Sequence, residues 1–223
     1  MPLLDHFHPP LQTVRHWHSF HHAWACNIAF ELNRLLPEGY VAEPNVQYGI
    51  ENDVAAFERE GAAVAVGGWP APAPLQTIPM PVLTDVVEVR ILAPTARMIL
   101  AAAIELVSPS NKSQPSSRDA FVSKCLGYLK ETVGLAIVDI VTQDHADLHA
   151  ELMEQLGAPG KSDPTDLYAA SYRPVEVDNA PSLEIWHETL SLGKPLPTLP
   201  LWLRGSICLP LDLDATYTRT CAN

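Results

Sequence analysis

Two continuous apolar runs, Met98–Val107 and Gly134–Val141, are the most regular feature of the hydrophobic pattern along the chain. Their length and composition are typical of strands buried on both faces of a sheet. Between them, Pro115 and the two serines after it provide a helix start signal, and Gly134 ends the helical pattern. The apolar residues of this segment recur at helical spacing: Phe121, Cys125, Tyr128 and Leu129. The pattern therefore predicts a strand, a loop, a helix and a second strand.

The first apolar run contains one charged residue, Glu105, near its carboxyl end. An isolated buried carboxylate costs several kcal/mol unless it is paired, hydrogen-bonded or bound to a cation. We therefore expect a partner to occupy the oxygens of Glu105. The predicted helix carries Asp119 and Lys124 at positions from which they can approach it.

The chain before this region alternates between helical and extended patterns. Residues Trp17–Leu36 predict a helix with one apolar stripe, formed by Phe20, Trp24, Ile28, Leu32 and Leu35. Glu31 lies at the edge of that stripe, where it either faces an active region or is solvated. Tyr40–Tyr48 predicts a strand, residues 49–52 predict a turn, and Asp53–Glu58 predicts an apolar strand entered through an acid.

Asp53 is the second candidate for cation chemistry. A carboxylate at the start of one core strand and another near the end of its neighbour can meet at one edge of a sheet. Two such carboxylates provide the oxygen ligands that a hard divalent cation needs. Asp53 is equally compatible with a turn-capping role, because Asp side chains often bond the backbone of turns.

The remaining segments predict a succession of loops, strands and helices. Residues 59–81 are rich in Gly, Ala and Pro, which indicates a long surface loop. The alternating pattern at Val82–Leu92 predicts a half-exposed strand. Beyond Val141 the pattern predicts a short acidic helix, three antiparallel strands and a terminal helix, at Gln143–Gly157, Asp166–Val175, Ser182–Leu190, Leu199–Leu209 and Asp212–Thr220.

Length and charge limit the class of protein. The chain has 223 residues, of which 47% are hydrophobic, so a single domain over residues 1–223 with a sizeable core is expected. Its net charge of -12 argues against a protein that simply coats nucleic acid. The segment from Arg90 to Lys130 differs, because its six basic and two acidic residues give it +4, which leaves -16 for the remainder. This local charge fits a phosphate-bearing ligand bound at one site, and it is equally compatible with chance.

Cysteine and histidine spacing gives no strong metal motif. The four cysteines lie far apart without a CxxC pair, which favours reduced core thiols over a zinc ribbon. Six histidines lie within the first 22 residues, and His18 and His22 have the i, i+4 spacing of a helical metal pair. No carboxylate completes an HExxH motif, so we expect these histidines to pack and cap rather than to bind metal.

The apolar pattern contains neither a secretory signal nor a membrane span. The first residues, MPLLDHFHPP, have no basic flank followed by an apolar core, and no stretch approaches the ~20 apolar residues of a spanning helix. We therefore expect a cytoplasmic protein.

Residues Ile104–Lys112, with the sequence IELVSPSNK, closely resemble the ELLSPANK signature of the family called domain of unknown function 4058. Arg118–Lys124 continues that likeness, and three other segments resemble the family's landmarks in the same order: Trp17–His21, Leu36–Tyr40 and Leu209–Leu213. The same strand, loop and helix also resemble the Uma-type predicted endonucleases, whose EVxSPS segment precedes a helix with Asp and Lys.

Both resemblances imply an α/β fold with a restriction-endonuclease-like PD-(D/E)xK core, in which helices flank a mixed central sheet with an acidic metal site at its edge. Carried onto this sequence, Asp53 takes the place of the motif's first acid and Glu105 that of the second. Two positions depart from the motif. Asn52 stands where a proline is usual, and Val107 stands where the motif has its lysine.

The resemblance thus predicts a metal-dependent nuclease that cleaves DNA or RNA. Mg²⁺ or Mn²⁺ would be held by Asp53 and Glu105, with Glu31 as a further ligand and a backbone carbonyl such as that of Leu106. Lys124 on the helix, or Lys112 in the loop, would supply the missing lysine from a displaced position and stabilise negative charge in the transition state.

A different class of function is open as well, because a site without a working lysine can bind metal and still not cut. The chain would then be a non-catalytic protein of the same fold that serves as a binding or assembly module. In that case Lys124 or Arg118 would neutralise Glu105 in a buried ion pair.

Overall fold

The secondary structure is described by a computed structural model, which covers residues 1–48, 50–59, 69–79, 98–143, 145–158 and 167–222. For residues 45–48, 50–59, 79 and 98 it describes the backbone alone. The helices are α1 (Leu11–Val14), α2 (Trp17–Leu32), α3 (Pro109–Lys112), α4 (Pro115–Lys130), α5 (Leu148–Gln155) and α6 (Leu213–Ala222). The strands are β1 (Tyr40–Tyr48), β2 (Ile50–Arg59), β3 (Gln76–Pro79), β4 (Met98–Leu106), β5 (Gly134–Asp139), β6 (Tyr168–Val177), β7 (Ala180–Thr189), β8 (Thr198–Trp202) and β9 (Cys208–Asp212).

Seven of these strands form one mixed sheet in the order β1-β2-β4-β5-β6-β7-β3. β4 and β5 are parallel, with α3 and α4 between them in the chain, and the other neighbouring strands pair antiparallel. β8 and β9 form a separate antiparallel pair. Helices pack on both faces of the large sheet, so the protein has a mixed α/β fold.

Alternate residues of β4 face two different apolar cores. Ile104 and Leu106 belong to the core shared with α2, α6 and the β8–β9 hairpin. Ala103 and Val107 belong to the core shared with α4 and α5. We call these two sides the α2 face and the α4 face. Because Glu105 alternates with Ala103 and Val107, it lies on the α4 face.

β5 begins at Gly134, where the large sheet meets the β8–β9 hairpin. The backbone carbonyl of Trp202, in β8, lies in the space that a Cβ at position 134 would need. The close approach of the two backbones therefore requires glycine at this position.

β3 follows β2 in the chain but lies at the opposite edge of the sheet, paired with β7. The Pro-rich residues before it are fastened by hydrogen bonds. The backbone N–H of Trp69 donates to the carbonyl of Cys208 over 2.7 Å, and Trp186 Nε1 donates to the carbonyl of Pro72 over 3.0 Å. These bonds hold the segment along β7 and β9.

Most of the predicted elements are confirmed. β4, α4 and β5 follow one another as the apolar pattern predicts, and every residue of β5 is buried. α2, β1, α5, β6, β7 and α6 also lie where the pattern places them, with ends that differ by a few residues. Among the helices in the described ranges, none is both long and apolar enough to cross a membrane.

Three predictions of local structure are wrong. Residues 50–52 belong to β2 rather than to a turn, and β3 lies inside the segment 59–81, for which composition predicts a loop. The predicted strand Leu199–Leu209 is instead the β8–β9 hairpin, because the chain turns at Gly205, whose φ is 98°. The predicted strand Val82–Leu92 lies outside the described residues.

Of the six N-terminal histidines, His6 and His21 make the packing contacts that the sequence predicts. The others are exposed, and His16, at the N-cap of α2, makes no side-chain cap. His6 is buried, with its Nε2 2.7 Å from the hydroxyl of Tyr217 and its ring 4.0 Å from that of Phe20 between centroids. His21 Nε2 donates to the backbone carbonyl of Leu106 over 2.8 Å. All four cysteines are free thiols.

Candidate functional site

Glu105 is buried on the α4 face of the sheet, with 1% of its surface exposed. Its Oε2 accepts a hydrogen bond from Lys124 Nζ over 2.7 Å, and its Oε1 accepts one from the hydroxyl of Tyr128 over 3.1 Å. Lys124 and Tyr128 are four residues apart on α4 and therefore lie on one side of the helix. Two side chains on one turn of α4 thus hydrogen-bond the buried carboxylate of Glu105 in β4.

Lys124 connects this buried carboxylate with the surface. Its side chain is 19% exposed, and its Nζ lies 5.4 Å from the centre of the Phe121 ring. The neighbouring Cys125 is fully buried, and burial, followed by the charge of Glu105, raises the pKa of its thiol well above the ordinary value. Cys125 is therefore a neutral packing residue, whereas the Lys124 side chain reaches solvent.

A second buried carboxylate, Asp139, ends β5 on the same face. Its Oδ2 accepts from Lys112 Nζ over 2.9 Å and its Oδ1 accepts from the backbone N–H of Val141 over 2.9 Å. Neither side chain of the Lys112–Asp139 pair is exposed to solvent. Burial raises the pKa of Asp139 to about 6, while Lys112 and the amide of Val141 act in the opposite direction.

Sequence reasoning missed Asp139, although the signal was present. Asp139 interrupts the second apolar run as Glu105 interrupts the first. The parallel register pairs Glu105 with Ile137, which places Asp139 two residues further along the neighbouring strand. Each parallel strand therefore ends in one buried acid, and each acid takes a lysine from the connection between the strands.

The Ser-Pro-Ser-Asn-Lys segment is a capped helical turn that positions Lys112. Ser108 and Asn111 form a capping box, in which Asn111 Oδ1 accepts from the backbone N–H and from the hydroxyl of Ser108, each over 2.9 Å. Pro109 occupies the first helical position, where its missing N–H costs nothing. This capped turn thus directs Lys112 to Asp139, while Lys124 bonds Glu105.

Asp53, predicted as the first acid, lies in β2, and its side chain is outside the described residues. β2 pairs with β4 antiparallel, with Val54 opposite Ile104 and Ala55 opposite Ala103. One further step of this register places position 53 across from position 105. The backbone therefore brings the two predicted acidic positions onto neighbouring strands.

Glu31 and the Leu106 carbonyl, the other predicted ligands, are not brought to the carboxylate of Glu105. Glu31 lies on α2, on the other face of the sheet, where its Oε2 accepts from Arg219 over 3.3 Å. The carbonyl of Leu106 accepts from His21. Within the described part of the chain, no group of three or more His, Cys, Asp or Glu residues could hold a metal ion.

No family model, curated protein or solved structure matches this chain. We therefore infer function from the geometry of the two carboxylate–lysine pairs.

Removing the Tyr128 hydroxyl measures how much the hydrogen bond from α4 to Glu105 contributes to the stability of the fold. We expect Tyr128→Phe to lower the free energy of unfolding by about 1.5 to 3 kcal/mol, because it removes a buried donor to a charged acceptor. Urea denaturation followed by circular dichroism measures the change.

Tyr168→Phe is the matched control for this substitution. The Tyr168 hydroxyl is also buried, but it has no hydrogen-bond partner in the part of the chain that the structure describes. Its removal is expected to change stability by no more than about 0.5 kcal/mol or to stabilise the fold. Equal losses in the two variants would show that the hydrogen bond from Tyr128 to Glu105 does not contribute to the free energy of unfolding.

Proposed function

We propose that this chain is a metal-dependent nuclease with a restriction-endonuclease-like core, in which Asp53 and Glu105 are the cation ligands and Lys124 is the catalytic lysine. The observation that carries the proposal is the 2.7 Å contact between Lys124 Nζ and Glu105 Oε2. The resembled motif has its lysine two residues after the second acid, where this chain has Val107. Lys124 reaches the same carboxylate from α4, so the charge missing from the strand is supplied by the helix.

The strand arrangement supports the proposal as well. α2 precedes β1 and β2, β4 lies beside β2, and the α3–α4 connection leads from β4 to the parallel strand β5. Helices thus flank a mixed sheet, as the resemblance to domain of unknown function 4058 and the Uma-type predicted endonucleases implies. Continued one step beyond Val54 and Ile104, the antiparallel register brings position 53 opposite position 105, which supports pairing the two motif acids.

The residues present fit a hard divalent cation only if Asp53 and Glu105 act together. Carboxylate oxygens are the ligands that Mg²⁺ and Mn²⁺ prefer. When bound, the cation would acidify a water molecule and neutralise charge on a phosphate.

The protein groups around Glu105 have separate tasks in this proposal. Tyr128 orients the buried carboxylate by donating to Oε1. Lys124 is partly exposed, so its ammonium is the group that meets the substrate phosphate and stabilises the added negative charge. The substrate would be DNA or RNA, whose backbone suits the locally positive segment from Arg90 to Lys130.

One specific observation favours the alternative, a non-catalytic binding or assembly module. Both oxygens of Glu105 already accept hydrogen bonds from protein donors, one of them charged. A buried carboxylate satisfied in this way needs no metal to be stable. The two functions therefore differ in whether a cation enters the site.

The deciding experiment combines Mn²⁺ titration calorimetry with cleavage of labelled single- and double-stranded DNA and RNA, in Mn²⁺, Mg²⁺ or EDTA. We expect Asp53→Asn and Glu105→Gln to lose both Mn²⁺ binding and cleavage. Lys124→Met is expected to retain Mn²⁺ binding and to cut roughly 10² to 10³ times more slowly.

Lys194→Met is the matched control, because Lys194 is an exposed lysine outside the positively charged segment from Arg90 to Lys130. Its cleavage rate should equal that of the unmodified protein. If the unmodified protein neither binds Mn²⁺ nor cuts any of these substrates, the nuclease proposal fails and the binding module takes its place.

A further inference from the structure

The outer side of α2 carries a histidine and a cysteine one helical turn apart. His22 Nε2 lies 3.7 Å from Cys26 Sγ. His22 is exposed and Cys26 is half-buried, so solvent reaches the pair. Residues four apart lie on one side of a helix, so the backbone of α2 sets this spacing. The buried side chains of Phe20, Trp24 and Ile28 hold the other side of the helix in the core.

The separation of these two atoms suits a tetrahedral zinc ion. With Zn–S bonds of about 2.3 Å and Zn–N bonds of about 2.0 to 2.1 Å, two tetrahedral ligand atoms lie roughly 3.5 to 3.6 Å apart. The 3.7 Å between His22 Nε2 and Cys26 Sγ is close to that value. Imidazole nitrogen and thiolate sulfur are ligands that zinc accepts, whereas Mg²⁺ and Ca²⁺ take oxygen. The pair therefore provides half of a zinc coordination sphere.

A single chain provides no more than this half. Among its described residues, no third His, Cys, Asp or Glu joins the pair in a group that could hold a metal ion. His18 is the exposed histidine one turn before His22, but it lies about 12 Å along the helix axis from Cys26. A closed tetrahedral site thus requires two further ligands from outside the chain.

The surface of α2 around the pair is suited to contact with another protein molecule. Glu31 is the one Asp, Glu, Lys or Arg residue of α2, and it pairs with Arg219 over 3.3 Å, although the whole chain carries a net charge of -12. Phe30, one turn beyond Cys26, is 61% exposed. An uncharged centre with a large aromatic side chain is typical of protein interfaces. Two copies can therefore approach through α2 without bringing unpaired charges of this helix together.

We infer that His22 and Cys26 of two copies of this chain share one zinc ion. When a two-fold axis passes through the metal, each copy contributes the same two residues. Two histidines and two cysteines are a common ligand set of structural zinc sites. Each cysteine binds as the thiolate, so each thiol releases its proton to solvent on binding. The second copy also covers Phe30, and this burial adds to the stability of the dimer.

This inference goes beyond the nuclease proposal. α2 packs on one face of the large sheet, and Glu105 lies on the other, where it contacts α4. The shared zinc would therefore hold two copies together at a distance from the proposed cleavage site.

The test compares the full-length chain in EDTA and in Zn²⁺ by sedimentation-velocity ultracentrifugation, with a phosphine reductant that prevents disulfides. We expect Zn²⁺ to double the mass of the protein and EDTA to reverse the change. Metal analysis of the isolated dimer should find one zinc ion for two chains. Co²⁺ in place of Zn²⁺ should give the visible absorption of a tetrahedral cobalt ion and a thiolate-to-cobalt charge-transfer band.

His22→Ala and Cys26→Ser each remove one ligand per chain. Both positions are accessible, so the melting temperature in EDTA should change little. We expect each substitution to raise the dissociation constant of the zinc-bound dimer more than about a hundredfold, because groups that merely orient a metal ligand already contribute roughly 10- to 100-fold to metal affinity. Cys26→Ser should also lose the charge-transfer band.

His18→Ala and Cys221→Ser are the matched controls. His18 is another exposed histidine of α2, and Cys221 is another partly accessible free thiol. Both variants should dimerise with Zn²⁺ as the unmodified chain does. The inference is overturned if Zn²⁺ leaves the mass unchanged, if a monomer binds one zinc ion per chain, or if a control loses dimerisation as His22→Ala does. A zinc-dependent dimer that cuts no nucleic acid would refute the nuclease proposal alone.

Discussion

Replacing Lys112 with methionine is expected to lower the free energy of unfolding by about 3 to 5 kcal/mol at neutral pH. The substitution removes the cation 2.9 Å from Asp139 and leaves that carboxyl group fully buried and held by the backbone amide of Val141. Methionine has nearly the same length as lysine, so packing changes little. Chemical denaturation followed by tryptophan fluorescence measures the loss.

The deficit of Lys112→Met should shrink as the pH is lowered. Burial already raises the pKa of Asp139 from 3.8 to about 6 in the folded protein, and removing Lys112 raises it further. Asp139 in the variant therefore takes up a proton at a pH above 6, and the lone buried charge disappears as the pH is lowered. The folded state binds this proton more tightly than the unfolded state, so acidification stabilises the variant relative to neutral pH.

Two further variants test whether the loss of stability in Lys112→Met comes from the unpaired charge of Asp139. Lys112→Met combined with Asp139→Asn should recover most of the lost stability, because neutralising both partners leaves no unpaired charge. Lys130→Met, at an exposed position, should change stability by less than about 0.5 kcal/mol. A deficit that is independent of pH and persists in the double variant would mean that Lys112 acts through packing alone.

Gly134→Ala is the second substitution with a large expected effect. A Cβ at this position meets the backbone carbonyl of Trp202, and a backbone atom cannot move aside as a flexible side chain can. We expect a loss of about 3 kcal/mol or more, which corresponds to a fall in melting temperature of about 6 to 12 °C for a chain of this size. Thermal unfolding followed by circular dichroism provides the measurement.

Gly157→Ala shows how much of such an effect comes from backbone strain. Gly157 has a φ of 73°, but nothing lies within 4 Å of the added Cβ. Its substitution is expected to cost only about 1 to 2 kcal/mol, the price of a left-handed conformation for alanine. If the two variants melt at the same temperature, the contact between Gly134 and Trp202 is not a significant restraint.

The apolar pattern was sufficient to predict β4, α4 and β5, because both strands are buried on two faces and the helix has clear start and stop signals. It failed at β3, whose four residues follow a run of prolines and carry no alternation long enough to indicate a strand. It failed again at β8 and β9, where apolar residues on both sides of Arg204, Gly205 and Ser206 obscured a turn. Short strands held by distant partners leave little local signal.

Part of the candidate site was predictable from the same apolar pattern. Glu105 was evident because one carboxylate in an apolar strand requires a partner, and the same logic applied to Asp139 would have found the second. The sequence left Lys124 and Arg118 as alternative partners of Glu105, and the structure shows Lys124. Lys112 and Lys124 both lie in the connection between the strands, and only the three-dimensional path of α3 and α4 determines which lysine meets which acid.

The position of β3 has a consequence for biosynthesis. Residues 76–79 leave the ribosome more than 100 residues before their partners at 182–185, to which they pair from Gln76 with Ile185 to Pro79 with Ser182. Contacts so distant in sequence form slowly, because a long chain segment must be ordered before they can close. The nascent chain therefore carries this segment without its partner strand while more than 100 further residues are added, and this edge of the sheet is completed only after translation has passed β7.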